Sequence, residues 1–367
     1  MAGNIFRQIG EEDGLFKDER TLMPEHLPEE LPHRERQVRD IAHALRNAGE
    51  GRKPENLLLS GSPGTGKTVT VRHVMRQLSD HYKRATPVYI NCWEHSTRHA
   101  ILSRIAELLG EILPRRGLAA DEIFARISES MKREKQVAIV VLDEMDRLFS
   151  GKGEGDKILY DMLRAAENSG VVFGVVGITN SEHLMARLDG RVRSSLSPRE
   201  VAFPRYSPQE LKDILKERAK EAFFAGTLSE EAIPLCAANA SKNGGDARLA
   251  IALLWKAGKL AEKEGATQVS GAHCKKAFAP AASEVRDERL AGLNKVELRI
   301  IEVAGKKGGV QSGELYSSLS EEFKETDRTI RNYLSRLEGL GLVSIEEKPK
   351  TKETPGNSRI IKAGKNE

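Results

Sequence analysis

The chain is 367 residues long, enough for two or three domains at roughly 100–200 residues each. Hydrophobic residues make up 39% and charged residues 31%, no apolar run reaches the roughly 20 residues that cross a bilayer, and the opening MAGNIFRQIGEEDGLFKDER has no apolar block of a signal peptide. A helical membrane protein is excluded and a soluble, cytoplasmic chain is expected; with 58 Lys+Arg against 54 Asp+Glu, any nucleic-acid site must be local.

Residues 1–26 mix charges with scattered Gly and Pro, show no period, and read as an N-terminal tail. Between 27 and 204, runs at 56–60, 86–91, 137–142, 171–178 and 199–203 alternate with helical spacing, which predicts an α/β domain with a parallel sheet. NLLLS, VAIVVL and VVFGVVGI are apolar throughout, as strands are when helices cover both faces. Over 205–285 the strand signal stops, and 208–225, 229–240, 246–263 and 270–278 carry helical spacing, so a helical domain follows the sheet. Over 286–367, three short helices at 296–305, 313–319 and 327–340 precede two strands, LVSIEE and SRIIKA, joined by the basic turn KPKTKETPGN. Cys92, Cys236 and Cys274 form no CxxC pair and read as buried thiols.

The strongest chemical signal is GSPGTGKT over 61–68, between a predicted strand and the helical TVTVRHVMRQL. Gly64, Thr65 and Gly66 let backbone N–H groups turn inward around phosphate oxygens, the following helix N-terminus adds its positive end through Thr68 and Val69, and Lys67 adds a cation. Thr68 would then coordinate magnesium. Asp143 and Glu144 stand where VAIVVL leaves the sheet: Asp143 would face the metal, and Glu144, on the other side, would activate water as a general base. Asp146 reads as a cap of the segment that follows. Asn180 ends the next strand, where it could hold a water or simply cap a turn.

Taken in order, GSPGTGKT, VVLDE, GITN, LDGRVRSSL, FPRYSPQEL and GGDARLA resemble the AAA+ ATPases, and more closely the archaeal Orc/Cdc-type replication initiators. The resemblance implies an α/β P-loop AAA+ ATPase base, an all-α lid and a C-terminal winged helix-turn-helix domain, with ATP or ADP and Mg2+ as ligands. It implies that Asn180 is a first sensor of the γ-phosphate and Arg248 a second, and that Tyr206 and Arg218 line the nucleotide at the base–lid junction. Arg191, or its neighbour Arg193, would be the arginine finger offered to another copy on DNA. It further places DNA contacts in extra helices over 98–131, with Arg115 and Arg116 foremost, although two adjacent loop arginines also suit plain solvated charge.

Three helices and a hairpin suit a winged helix, whose third helix enters the major groove. On 326–340, Arg328, Arg331, Asn332 and Arg336 oppose an apolar face of Ile330, Leu334 and Leu337, and the wing adds Lys348 and Lys350. Such a domain can also bind protein. The resemblance implies a weak ATPase that binds double-stranded origin DNA and helps recruit or load the replicative helicase, hydrolysis being a slow switch. A branch-migration motor and a nucleotide-controlled regulator are the alternatives, separated by oligomer size and by footprinting.

Overall fold

In the computed structural model, which describes residues 14–114, 117–149, 154–181, 183–278, 293–305, 309–323, 325–339, 342–347 and 359–363, the five predicted runs become strands. They are β1 (Leu57–Ser60), β2 (Ala85–Asn91), β3 (Val137–Asp143), β4 (Phe173–Thr179) and β5 (Arg199–Ala202), paired in parallel in the order β2-β3-β4-β1-β5. Their side chains alternate between two cores. Leu58, Val88, Ile90, Val140, Leu142 and Val175 face one side, and Leu57, Leu59, Ile139, Val141, Val176 and Ile178 the other. Helices α1 (Glu35–Gly49) and α2 (Lys67–His81) cover the second face through Ile41, Leu45, Val71 and Val74. Helices α3 (Arg98–Leu108), α4 (Ala120–Glu134) and α5 (Glu154–Ser169) cover the first through Ile101, Ile105, Ile127, Ile158 and Met162. Burial on both faces is why β1, β3 and β4 carry no polar alternation, whereas the edge strand β5 buries only Val201. Short helices α6 (Leu184–Arg187) and α7 (Gly190–Leu196) lead into β5.

Register gathers the polar residues at one edge. Ser60 pairs with Thr179, so Gly61 and Asn180 leave the sheet side by side; Asn91 pairs with Asp143 on the far side of β4. This is the C-terminal edge of an open parallel sheet, where ligands of such folds bind.

After β5 come α8 (Pro208–Ala222), α9 (Ala232–Lys242), α10 (Ala247–Lys263) and α11 (271–278). Helix α8 begins with a reciprocal cap: Ser207 Oγ accepts the Glu210 N–H, and Glu210 accepts the Ser207 N–H at 2.7 Å. Residues 14–26, expected in a tail, belong to this helical layer. Phe16 bridges to Phe223 with ring centres 4.5 Å apart, a 3-10 turn (Glu19–Leu22) follows, and Glu19 accepts the Trp255 indole N–H at 2.7 Å. The apolar Leu15, Phe16 and Leu22 are too few to show a period in sequence, and the partners of Leu15 and Phe16 lie more than 200 residues away. All three cysteines are buried free thiols.

The chain divides into two compact units, Met1–Lys275 and Lys276–Glu367. The expected 285/286 boundary lies outside the described residues. The second unit contains α12 (Lys295–Ala304), β6 (Val310–Gln311), α13 (Ser312–Phe323), α14 (Asp327–Gly339), β7 (Val343–Glu347) and β8 (Arg359–Ala363). Its strands form an antiparallel sheet in the order β6-β8-β7. Strand β6, at two residues, is too short to leave a periodic signal and exists by pairing with Ile360 and Ile361. The core joins Val296, Ile300, Leu315, Leu319, Ile330, Leu334, Leu337 and Ile361.

Candidate nucleotide site and the exposed face of the third helix

The loop after β1 turns into α2 through Gly66, whose φ of 87° is left-handed. Gly64 also has positive φ, at 73°, and a Cβ there would stand 1.8 Å from Asp246 Oδ1. Only glycine permits both the backbone and that approach. Lys67, 7% exposed as a residue, donates its ammonium to the Gly61 carbonyl at 2.8 Å, the Ser62 carbonyl at 2.9 Å and Asn180 Oδ1 at 2.9 Å. Burial, with Arg248 nearby, lowers its pKa to about 8 against the opposing pull of Asp143, Asp146 and Glu144. An anion in the loop would favour the charged form. Thr65, buried in the same loop, donates its hydroxyl to the Ser62 carbonyl at 2.8 Å, and Val69 is half-buried in the first turn of α2.

Asp143, at the end of β3, is buried and accepts three hydrogen bonds: Thr68 Oγ1 at 2.9 Å, the Tyr89 hydroxyl, and the Glu144 N–H at 3.0 Å. Thr68 and Asp143 therefore meet as expected. A hydroxyl and a carboxylate are hard oxygen donors of the kind Mg2+ takes alongside phosphate oxygens. Among the described residues no cluster of three His, Cys, Asp or Glu side chains could hold a metal, so these two donors and a nucleotide would have to suffice. Glu144 has a φ of 54°, rare for a side chain of its kind and typical of functional turns. Burial, with Asp143 and Asp146 close by, raises its pKa, the direction a general base needs. The Asp146 carboxylate accepts from Thr179 Oγ1 at 2.8 Å and the Asn180 N–H at 3.3 Å, tying the ends of β3 and β4 together.

The helical layer closes against this loop. Asp246 caps α10 by accepting the Arg248 N–H at 2.7 Å and the Leu249 N–H at 3.4 Å, while the Ala247 N–H donates to the Gly64 carbonyl at 3.1 Å. Arg248 itself is 70% exposed and feels both Lys67 and Glu144 electrostatically. Tyr206 is buried against Gly66: a Cβ on that glycine would meet the Tyr206 hydroxyl at 2.7 Å. Arg218 does not join it. Twelve residues along α8, roughly 18 Å of helix, its guanidinium donates to the Thr21 carbonyl at 3.1 Å and anchors the N-terminal segment. Arg191 is exposed and paired with Asp189 at 3.2 Å, and Arg193 is exposed on the same α7.

Sequence reasoning passed over two residues here. Tyr89, on β2, bonds Asp143 and lies under Arg72 at 4.5 Å. Its position two residues before Asn91, the register partner of Asp143, was the available signal. Arg34 contacts the phosphate loop, and nothing in LPHRERQVR distinguishes it from Arg36 or Arg39.

The extra helices expected over 98–131 are α3 and α4, whereas Arg115 and Arg116 lie outside the described residues. In the second unit, α14 buries Ile330, Leu334 and Leu337 and exposes Arg328, Arg331 and Asn332. Arg336 differs from them: it donates to Glu297 Oε1 at 2.9 Å, and Glu297 is 0% exposed, so this arginine holds α14 to α12. Its side chain is still 54% exposed, on the same helix as Arg328, Arg331 and Asn332. Lys348 and Lys350 lie outside the described residues. Among the described residues no helix is long and apolar enough to cross a membrane.

Residues 30–173 match the AAA ATPase domain family, and residues 212–279 match the Cdc6 AAA+ ATPase-type lid domain. An ORC1-type DNA replication protein of Thermococcus kodakarensis is 37% identical over 94% of this chain and 87% of its own length. The ORC1 protein of Aeropyrum pernix, solved in complex with DNA, superposes with a TM-score of 0.78 at 33% identity, covering 95% of this chain and 94% of that one. Cdc6p from Pyrobaculum aerophilum superposes with a TM-score of 0.66 at 27% identity, over 96% and 95% of the two chains.

Proposed function

The chain belongs to the ORC1-type DNA replication proteins, with an AAA+ base and a Cdc6-type lid, and from that premise we propose that it is an ATP-controlled initiator that binds double-stranded origin DNA. The observation that carries this reading is the lid docked on the phosphate loop: Ala247 and Asp246 meet Gly64, so whatever fills the loop bears directly on the lid.

In this reading the loop N–H groups and Lys67 bind the ATP phosphates, and Thr68 with Asp143 would hold Mg2+, which supplies positive charge at the β- and γ-phosphates. Glu144 takes a proton from the attacking water, Asn180 orients that water, and Lys67 and Arg248 offset charge developing on the γ-phosphate. Tyr206 sits where the base turns into the lid and lines the nucleotide. Arg191 serves a neighbouring copy on DNA. Hydrolysis is slow and acts as a switch.

The second unit is a winged helix-turn-helix: α14 enters the major groove with Arg328, Arg331 and Asn332, and the β7–β8 hairpin is the wing. The Aeropyrum relative, solved with DNA and alike over nearly its whole length, supports this partner. Recruitment or loading of the replicative helicase follows as the task such binding serves. Genome-wide footprinting of the purified protein with ATP or ADP at fixed salt tests the reading. Repeated strong sites beside a replication start are expected; junction-specific or promoter-wide protection would overturn it.

A further inference from the structure

Arg34 is 2% exposed, an unusual place for a guanidinium. Its Nε donates to the Thr65 carbonyl at 3.0 Å, one terminal nitrogen to the Pro204 carbonyl at 2.9 Å, and the other to the His33 carbonyl at 2.8 Å. Its central carbon lies 3.7 Å from the ring centre of Tyr206 and 5.7 Å from that of Phe203. One side chain thus joins the approach to α1, the phosphate loop and the turn from base into lid.

Its partners are carbonyls and ring faces. Among the described residues it makes no ion pair, because the nearby acids are engaged elsewhere: His33 reaches Asp213 at 3.1 Å and Glu210 at 4.0 Å, and Glu210 also caps α8. A buried cation without a carboxylate is costly to hold. The anion this arrangement suits is the polyphosphate that the adjacent loop is shaped to take.

The geometry has a direct consequence for that loop. The Thr65 carbonyl and the Gly66 N–H belong to one planar trans peptide, so they point in opposite directions. By holding the carbonyl, Arg34 turns the Gly66 N–H the other way, at the entrance to α2 where anion-binding amides belong. Its second bond and its stack on Tyr206 tie the same peptide to the base–lid turn.

Building on the nucleotide reading above, we propose that Arg34 is a positioning residue that aims the Gly66 amide at phosphate and couples the loaded loop to the base–lid turn. Loss of its charge-assisted bonds should weaken ATP and ADP binding about 10- to 100-fold. Lysine keeps the charge without the fork or the stack, and should restore part of that loss.

The test is calorimetric titration of ATP and ADP into the full chain for wild type, Arg34→Met, Arg34→Lys and Lys67→Ala, with hydrogen exchange of residues 203–207 read with and without ATP. We expect ATP to slow exchange at this turn in wild type but not in folded Arg34→Met, alongside the affinity loss. A purely structural role would lower the melting temperature and leave both readouts unchanged. Folded Arg34→Met with wild-type affinity and a protected turn would overturn the proposal. If that variant does not fold, wild-type affinity and turn protection in Arg34→Lys would do the same. Binding lost in Lys67→Ala but intact in the Arg34 variants removes this inference alone, whereas a wild type that binds no nucleotide removes the nucleotide reading beneath it.

Discussion

Replacing Arg336 by Ala separates a strut of the second unit from a DNA contact. Its guanidinium meets Glu297 at 2.9 Å, and Glu297, 0% exposed, otherwise accepts the Asn294 N–H at 2.9 Å as part of the α12 cap. Removing one member of a buried pair costs about 3–5 kcal/mol. The Arg336 side chain is 54% exposed, so water already screens part of the attraction, and about 2 kcal/mol is the appropriate size. That loss multiplies the open population of this unit about 30-fold, since about 1.4 kcal/mol is tenfold. Native-state hydrogen exchange on the full chain should show the α12 and α14 amides exchanging about 30-fold faster, with the parallel sheet unchanged. Arg331→Ala should do the reverse, leaving protection intact while lowering the salt slope of DNA binding by about one. An Arg336→Ala protein that kept its protection and lost salt slope as Arg331→Ala does would refute the reasoning and return Arg336 to the DNA surface.

Two further outcomes follow from the nucleotide site. Lys67, with its pKa lowered to about 8, is charged below that pH in the free protein, and bound phosphate favours the charged form. ATP affinity should therefore fall as pH rises through about 8, by up to about tenfold per pH unit, with a proton taken up on binding; calorimetry in buffers of different ionisation enthalpy measures it, and a flat affinity up to about pH 9.5 contradicts it. Glu144→Gln should cut single-turnover hydrolysis by about 100-fold or more while ATP still binds. Because the Glu144 pKa is raised, the wild-type rate should decline on acidification sooner than an ordinary glutamate would allow, and an unaffected rate in the Gln variant removes the general-base role.

Much of the site was readable because it is local. A strand, a glycine-rich turn and a helix start within a dozen residues specify the phosphate loop around Lys67 and Thr68, and an apolar strand ending in two acids specifies Asp143 and Glu144. The predicted strands agree with those observed to within a residue or two, and for β1, β3 and β4 burial on both faces leaves an uninterrupted apolar run. The start of α10 was legible in GGD before a helical run, a cap signature that Asp246 fulfils, whereas a role for Arg248 came only from the family resemblance.

Other features depend on distant segments meeting. Arg34 is buried where Arg36 is exposed because the turn carrying Pro204 and Tyr206, 170 residues on, closes over it. Arg218 turned to Thr21 rather than toward Tyr206, and Arg336 turned to Glu297, for the same reason: a long cationic side chain can reach several partners, and packing chooses among them. The N-terminal segment folds because Trp255, Phe223 and Glu262 offer it a surface. Sequence by itself determined the periods, turns and charged ends, which are set by contacts within a few residues. Tertiary structure decided which arginines became struts, because desolvation and pairing depend on the groups that the rest of the chain brings alongside.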